Sequence, residues 1–207
     1  MKRNIIAIIA NGEKVNNIGN ILRDVDIIIA DDGGANLCRL LKITPDYIIG
    51  DFDSISLENE EFFSESKFIE TTEQDHTDMQ KALDYALTLN PTKIKIISVF
   101  GKRTDHTLGN ILIFQNYNSS IPLEIFDNFG VITFYYPGKY ELTLQQGQTI
   151  SFFSLSPITD LSLKGFKYPI NNATYTSNFA GISNVVINKK CTIKFIKGKL
   201  ISYIVTV

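Results

Sequence analysis

Aspartates recur in two short segments of the chain, and their spacing predicts a metal-dependent site. Asp51 and Asp53 stand two residues apart at the predicted end of a strand, where extended backbone directs both side chains to one face. Asp75 and Asp78 stand at the predicted start of a helix. Clustered carboxylates repel one another unless a cation neutralises them, and oxygen ligands alone favour Mg²⁺ over Zn²⁺. A turn in the first segment and a helix cap in the second, formed by Asp75 or Thr77, are the competing interpretation.

Basic residues accompany these carboxylates. Lys81 follows Asp78 by three residues, which places the two side chains on one helix face next to the expected metal. Arg103 follows another predicted strand and can bind phosphate oxygens through two N–H groups, while Lys102 adds charge. A helix start that carries a lysine and a metal is a natural phosphate site, so the pattern predicts phosphoryl chemistry. Asp105 either caps the next helix, orients Arg103 or helps to handle the substrate's proton.

A pair of glycines, Gly33 and Gly34, follows a predicted strand and opens a predicted helix. Glycine lets a backbone approach a phosphate or an adenine closely, although a plain tight turn explains the pair equally well. The sequence has no G-x-x-x-x-G-K-[ST] motif, which argues against a P-loop nucleotide hydrolase. The two histidines, His76 and His106, lack the spacing and the cysteine partners of a zinc site.

Short apolar runs in the first part of the chain predict the strands that position these residues. The runs are continuous rather than alternating, which is typical of a parallel sheet covered on both faces. Together with the helices predicted between them, they indicate a layered α/β domain. The predicted strands occupy residues 5–10, 26–30, 47–50, 67–70 and 94–100. The predicted helices occupy residues 34–41, 78–89 and 105–117.

After about residue 125 the pattern changes to strand-like segments in quick succession, separated by turn residues. No long helical period is present, so we predict a small antiparallel β-sandwich or barrel. The expected fold class is therefore α/β plus all-β, with domains at residues 1–127 and 128–207. The strands predicted in the second domain occupy residues 131–136, 140–144, 149–155, 161–163, 185–188, 191–196 and 200–207.

Composition excludes several classes of protein. Hydrophobic residues make up 44% of the chain and charged residues 20%, as in an ordinary folded domain, and the net charge of -2 offers no basic excess for nucleic acid or an anionic membrane. The first apolar run is too short for a signal peptide, and no run approaches the roughly 20 residues of a membrane-spanning helix. Cys38 and Cys191 are far apart, which predicts two buried, reduced thiols in a cytoplasmic protein.

Five motifs in this order resemble the thiamine pyrophosphokinase family, and the likeness covers essentially the whole chain. They comprise residues 30–36, 45–55, 74–83, 101–110 and 165–169. The resemblance implies an N-terminal catalytic domain that binds ATP and Mg²⁺, and a C-terminal β-sandwich that binds thiamine. It implies a homodimer with the active site between the α/β domain of one subunit and the sandwich of the other. The implied reaction transfers the diphosphate group of ATP to the hydroxyl of thiamine and leaves AMP.

The resemblance also implies the residues of the site. The implied metal ligands are Asp51, Asp53 and Asp78. The implied nucleotide-binding residues are Asp32, Gly33, Gly34, Asn36, Gln74, Thr77, Lys81, Arg103 and His106. The implied thiamine-binding residues are Tyr168, Ser183 and Asn184. Asp75 or Asp105 accepts the hydroxyl proton in this scheme, and the sequence does not decide between them.

The chain departs from the family pattern at two positions. It has Glu73 where the family often has Asp, and Lys102 where the family often has Gly. Glu73 keeps the charge with a longer reach. Lys102 either adds a phosphate contact or points to solvent.

Two other functions fit parts of the sequence. One is a sensor that binds a nucleotide or thiamine without turnover, although the intact set of carboxylates argues against it. The other is a kinase of a different small alcohol, which would release ADP instead of AMP.

Overall fold

The computed structural model describes residues 3–52, 61–71, 75–117 and 119–206. The chain divides into two compact units, Met1–Asn128 and Phe129–Val207. The first unit is α/β and the second is all-β, so the predicted fold class is confirmed.

Six parallel strands form the sheet of the first unit, in the order β6-β5-β1-β2-β3-β4. The strands are β1 (Ile5–Ile9), β2 (Ile27–Asp31), β3 (Tyr47–Gly50), β4 (Lys67–Glu70), β5 (Lys93–Ile97) and β6 (Leu123–Phe126). The helices in the described part of this unit are α1 (Ile18–Leu22), α2 (Asp32–Leu41), α3 (Asp78–Thr88) and α4 (Thr104–Asn116).

The direction in which strands are added to this sheet reverses beside β1. From β1 the chain adds β2, β3 and β4 on one side, and it then returns to add β5 and β6 on the other. Ile9, the last residue of β1, pairs with Ile97 of β5 and with Ala30 of β2. The carboxyl ends of the three strands therefore lie level, and open α/β sheets bind ligands in the crevice at such a reversal.

Continuous burial explains why the first unit needs apolar strands. All five residues of β1 are buried, and Ala7, Ile9 and Ala30 belong to one cluster with the buried face of α2. Helix α2 packs close because Gly34 has no side chain, since a Cβ there would collide with the backbone carbonyl of Ile9. The start of α2 is thereby fixed against the end of the central strand.

The second unit is a sandwich of antiparallel strands. One sheet has the order β12-β9-β14-β7 and the other β11-β10-β13-β8. Buried residues of both sheets, among them Phe152, Leu161 and Phe195, form one core. The strands are β7 (Gly130–Tyr135), β8 (Gly138–Thr143), β9 (Thr149–Ser154), β10 (Ile158–Lys164), β11 (Ile170–Tyr175), β12 (Phe179–Val185), β13 (Lys190–Phe195) and β14 (Leu200–Val205).

Several predicted boundaries are wrong, each for a local reason. The strand predicted to end at Phe100 ends at Ile97, because Ser98 has a φ of 59°. Helix α2 begins at Asp32, two residues early, because Asp31 caps it. The strand predicted at residues 185–188 is only a bridge beyond Val185, where Val186 pairs with Phe166. The sequence prediction also lacked α1, β6, β11 and the part of β12 before Val185.

Two further sequence expectations concern single features. Both cysteines, Cys38 and Cys191, are free and buried, as predicted. Within the described residues, no helix combines the length and the apolar character needed to span a membrane.

Candidate active site

The carboxyl ends of four neighbouring strands of the first unit carry polar residues that line one cavity of about 840 Å³. In sheet order, these residues follow β5, β1, β2 and β3. The start of α3 and the first turns of α4 complete the lining. Polar side chains on this lining are those of Asn11, Asp31, Asp32, Asp51, His76, Thr77, Asp78, Lys81, Lys102, Arg103, Asp105, His106 and Asn110.

Asp31 and Asp32 are the two carboxylates of the described cavity lining that are buried. Asp31 caps α2, where its Oδ1 accepts a hydrogen bond from the backbone N–H of Gly34 at 2.6 Å. Burial raises the pKa of Asp31 to about 7, and the negative charges of Asp78 and Asp32 act in the same direction against the Gly34 hydrogen bond. The site therefore concentrates negative charge at this end of the cavity, where a cation would relieve it.

Helix α3 places an acid and a base together at its start. Thr77 caps the helix by accepting a hydrogen bond from the backbone N–H of Gln80 at 3.3 Å. Lys81, one turn later, has only 7% of its side chain exposed, and its Nζ lies 3.7 Å from Oδ1 of Asp78. This is the contact that the three-residue spacing predicted. The Nζ also donates to the carbonyl of Thr71 at 3.4 Å, so the amine is held at the edge of the cavity.

Arg103 and Asp105 form a bidentate ion pair at the start of α4. Nε of Arg103 donates to Oδ1 of Asp105 at 3.1 Å, and Nη2 donates to Oδ2 at 2.5 Å. These hydrogen bonds from Arg103 lower the pKa of Asp105 to about 2. The cap position of α4 is Arg103 itself, so Asp105 lies inside the first turn and does not cap the helix. Of the three roles considered for Asp105, its contacts match the orientation of Arg103.

Backbone hydrogen bonds join the loop after β1 to the loop after β5. The N–H of Ala10 donates to the carbonyl of Ile97 at 3.0 Å, and the N–H of Glu13 donates to the carbonyl of Phe100 at 2.7 Å. Between them, Gly12 donates to Ser98. A Cβ at Gly12 would collide with both loop carbonyls, so this close approach requires glycine.

In the second unit, two of the residues predicted to bind thiamine contact each other. Asn184 is buried, with its Oδ1 accepting from the N–H of Tyr168 at 3.0 Å and its Nδ2 donating to the carbonyl of Tyr168 at 2.8 Å. The Tyr168 side chain is 60% exposed. Ser183 is exposed, has a φ of 56° and lies in a bulge of β12 between Gly181 and Asn184. A bulge of this kind re-aims side chains at the sheet surface.

Comparison with known proteins gives this arrangement its context. The family model described as thiamin pyrophosphokinase, catalytic domain, matches residues 18–125, and the model described as thiamin pyrophosphokinase, vitamin B1 binding domain, matches residues 139–200. The chain belongs to the thiamin pyrophosphokinase family. The resemblance stated from the sequence is therefore confirmed.

Relatives in this family agree with the assignment over most of the chain. A thiamine pyrophosphokinase of Bacillus subtilis (strain 168) is 37% identical over 166 residues, which is 77% of this chain and 78% of the relative. A crystal structure of thiamine pyrophosphokinase from Bacillus subtilis has a TM-score of 0.85 at 31% identity and covers 98% of this chain and 99% of that chain. One of thiamin pyrophosphokinase from Geobacillus thermodenitrificans has a TM-score of 0.82 at 26% identity, with 98% of each chain covered.

Most of the family residues predicted in the first unit meet at the cavity, and a few lie elsewhere. Gly34 is buried, Asn36 and Asp75 are exposed, and none of the three belongs to the described lining of the cavity. Asp53, Glu73 and Gln74 lie outside the described residues. Those that line the cavity are Asp32, Gly33, Asp51, Thr77, Asp78, Lys81, Arg103, Asp105 and His106.

Sequence reasoning missed other residues that line the cavity, including Asn11, Asp31 and Asn110. Asn11 had a usable signal, because it follows the first predicted strand with Gly12 directly behind it. Asp31 had one too, since it precedes Asp32 at the end of a strand. Asn110 lies in the second turn of α4, where its Nδ2 donates to the carbonyl of Val99 at 3.1 Å, and the sequence pattern gave no indication of this contact.

The family's chemistry raises the question of whether these residues fit a Mg²⁺ ion. Within the described ranges, no group of three or more Asp, Glu, His or Cys side chains lies close enough together to hold a metal by itself. Asp51 and Asp78 line the same cavity as Lys81, Lys102 and Arg103, which are cations that suit phosphate. Mg²⁺ is commonly held by one or two carboxylates, with water and substrate phosphates as the remaining ligands. The oxygen donors present therefore fit a Mg²⁺ ion that arrives with a nucleotide.

Proposed function

We propose that this chain transfers the diphosphate group of ATP to the hydroxyl of thiamine, giving thiamine diphosphate and AMP. One observation carries the proposal. Carboxylates after β2 and β3 and cations on α3 and after β5 line a single cavity, in a chain of the thiamin pyrophosphokinase family. Transfer of a charged phosphoryl group depends mainly on positioning and on neutralising charge, and this cavity offers groups for both.

The proposed metal ligands are Asp51, Asp53 and Asp78, of which Asp53 rests on the family resemblance alone. A bound Mg²⁺ ion neutralises phosphate charge and polarises phosphoryl oxygens. Lys81 and Arg103 bind phosphate oxygens and balance the charge that moves onto AMP as it departs. Attack at the β-phosphorus moves the β- and γ-phosphates together, so the chain has to hold both of them.

The remaining nucleotide contacts are proposed from the family pattern and the lining of the cavity. Asp32 and Gly33 follow the buried cap of α2, while Thr77 and His106 border the same space from α3 and α4. The proposed nucleotide-binding set also includes Gly34, Asn36 and Gln74.

We assign Asp105 to the positioning of Arg103 and Asp75 to the acceptance of the hydroxyl proton. A carboxylate whose pKa is about 2 is a weak base near neutral pH, and both oxygens of Asp105 are already bonded to the guanidinium. Asp75 has an exposed side chain at the entrance to α3.

The proposal divides the reaction between the domains at residues 1–127 and 128–207. The first binds ATP and Mg²⁺, and the second binds thiamine through Tyr168, Ser183 and Asn184. An exposed aromatic ring suits stacking on a flat heterocycle, and Ser and Asn side chains can hydrogen-bond ring nitrogens. We propose a homodimer whose active site lies between subunits, and a cytoplasmic location, consistent with two free thiols.

A nucleotide product assay tests the function. Purified protein is incubated with ATP and Mg²⁺, with and without thiamine and with and without EDTA, and AMP and ADP are separated by chromatography. Thiamine-dependent AMP that matches thiamine diphosphate, and is abolished by EDTA, is the expected result. Thiamine-dependent ADP would indicate a kinase that transfers one phosphate, and binding of thiamine without turnover would indicate a sensor.

A further inference from the structure

Lys102 adopts a backbone conformation that favours glycine. Its φ is 56°, and it follows Gly101, whose φ is 84°. Lysine gains nothing from this region of backbone space, so the surroundings have to impose the conformation. The carbonyls of Ser98 and Phe100, just before Lys102, accept hydrogen bonds from the backbone of the loop after β1, which fixes the path of the chain. Residues that their surroundings hold in such conformations are found in clusters at ligand-binding sites, so the location of Lys102 has to be considered together with its backbone.

The amine of Lys102 spans the crevice at which the order of the sheet reverses. Its Nζ donates a hydrogen bond to Oδ1 of Asn11 at 2.9 Å. Lys102 follows β5 and Asn11 follows β1, which are the two strands on either side of the reversal. Ligands of open α/β sheets bind in this crevice, and both residues line the cavity described above.

Charges are sorted along the edge of the sheet. The cations Lys102 and Arg103 follow β5, whereas Asp31, Asp32 and Asp51 lie at the ends of β2 and β3 on the other side of β1. The carboxylate on the β5 side, Asp105, is paired with Arg103. A polyphosphate that binds the same Mg²⁺ ion as the aspartates at the ends of β2 and β3 would therefore direct its other oxygens toward the residues that follow β5. The hydrogen-bond acceptor of Lys102 is a neutral amide, and the charge of Lys102 also acts on Asp31. A phosphate oxygen forms a stronger, charge-assisted hydrogen bond with the same amine than the amide does.

We propose that Lys102 binds the polyphosphate of ATP, and that Asn11 holds its amine in the crevice before the nucleotide arrives. Lys102 thus acts as a third phosphate-binding cation beside Lys81 and Arg103, directed at the phosphates beyond the first. The inference rests on the proposed function for the identity of the nucleotide.

Nucleotide binding without thiamine tests this inference. The dissociation constants of ATP with Mg²⁺, and of AMP, are measured by isothermal titration calorimetry for the wild type, Lys102→Met and Lys102→Gly. Methionine keeps an unbranched side chain without the charge, and glycine removes the strain as well. We expect ATP to bind about tenfold more weakly to both variants, the loss of one charged hydrogen bond, while AMP binding stays unchanged.

Lys42 provides a matched control. It is an exposed lysine with the same φ of 56°, it ends α2, and it lies outside the described lining of the cavity. Lys42→Met is expected to leave ATP binding at the wild-type value. Asn11→Ala should weaken ATP binding by less than Lys102→Met, because the amine remains but is no longer held.

Three results would overturn the inference. The first is an ATP affinity in both Lys102 variants that equals the wild-type value. The second is a loss of AMP affinity in these variants as large as their loss of ATP affinity. The third is a loss of ATP affinity in Lys42→Met as large as that in Lys102→Met. Wild-type affinity in Asn11→Ala would overturn the role of Asn11. Thermal melting shows whether each variant is folded, and Lys102→Gly is expected to fold because glycine adopts this φ readily. If the wild type binds ATP but forms no thiamine diphosphate, the proposed function is wrong. The comparison of ATP affinities between the wild type and the variants still tests the role of Lys102.

Discussion

Asp31 and Asp105 line the same cavity with pKa values on opposite sides of the ordinary aspartate value. Burial raises the pKa of Asp31 to about 7, and the guanidinium of Arg103 lowers that of Asp105 to about 2. The two carboxyl groups are chemically identical, so their surroundings alone separate them. Near neutral pH, both protonation states of Asp31 are therefore populated, whereas Asp105 remains a negative charge that orients an arginine.

The assignment of Asp105 leads to a prediction about catalysis. Asp105→Asn removes one charged partner of Arg103, so the guanidinium loses its fixed orientation, and we expect a KM for ATP several-fold higher with a much smaller change in kcat. Steady-state kinetics with varied ATP measure both parameters. A fall in kcat by a factor of about 100 or more with little change in KM would instead identify Asp105 as the proton acceptor.

The raised pKa of Asp31 makes stability depend on pH. Between pH 3.8 and about 7, the folded state holds a proton that the unfolded state has released, so the free energy of unfolding falls as pH rises through this window. Asp31→Asn does not titrate, and its amide oxygen can still accept the hydrogen bond from Gly34. We therefore expect the free energy of unfolding of the variant, relative to that of the wild type, to be greater at pH 8 than at pH 4.

Urea unfolding at the two pH values, without nucleotide or Mg²⁺, measures this difference. Asp46→Asn is a suitable comparison, because Asp46 is exposed and also accepts a backbone hydrogen bond, from Ile28. An advantage of Asp31→Asn that is the same at pH 4 and pH 8 would contradict the assigned burial effect.

The sequence indicated those site residues that lie close to one another in the chain. It missed the residues that only the pairing of distant strands brings together. The contact between Asp78 and Lys81 follows from three residues of separation on one helix, and the structure has it. Asn11 meets Lys102, which lies 91 residues later in the chain, at the ends of two neighbouring strands. No local pattern specifies such a pair, because only the pairing of β1 with β5 brings the two loops together.

Helix α3 shows how one element delivers several groups to the cavity. Its cap, Thr77, sets where the helix begins, and this start fixes Asp78 in the first turn and Lys81 one turn later. An adjacent face, with Met79, Ala82 and Ala86, is buried against the sheet. The buried face therefore holds the helix in place, while the cap determines which residues face the cavity.

Loss of this cap should weaken the element. Thr77→Ala removes the hydroxyl that accepts from the Gln80 N–H, and we expect the free energy of unfolding to fall by about 1 kcal/mol. Thr77→Ser keeps an Oγ acceptor and should lose much less. Chemical denaturation of the three proteins gives the comparison, and equal stability of the alanine and serine variants would show that the cap contributes nothing measurable.

The apolar content of each strand decided whether it could be predicted in the sandwich. The central strands β9, β10, β13 and β14 carry enough buried apolar residues to be recognised, although β10 extends beyond its predicted residues 161–163. The strands β11 and β12 lie at sheet edges and carry polar or small residues such as Asn171, Asn172 and Gly181. An edge strand needs few apolar residues, so periodicity gives it little signal.

At the scale of the whole molecule, each unit has its own hydrophobic core. The cavity belongs to the first unit, and the residues proposed to bind thiamine belong to the second. A reaction between ATP and thiamine requires both sets of residues in one site, which either one chain or two chains can supply. Our proposal of a homodimer with a shared site makes the second alternative testable.

Complementation between two inactive variants decides how the site is assembled. Asp51→Asn disables the first unit in our scheme, and Asn184→Ala disables the second by releasing the main chain of Tyr168. In a dimer with shared sites, a mixed dimer contains one site built from the two unaltered units. Random pairing makes half of the dimers mixed, so co-expression should restore about a quarter of wild-type activity.

Sedimentation measurements accompany this experiment, because a site shared between two chains requires a species of twice 23.3 kDa. Each variant expressed alone serves as the inactive reference. Co-expression of a chain that carries both substitutions with the wild-type chain controls for expression and pairing. If every site were contained within one chain, each site in the mixture would carry one substitution, and activity would stay at the level of the single variants. Restoration therefore requires that the two units of a working site come from different chains.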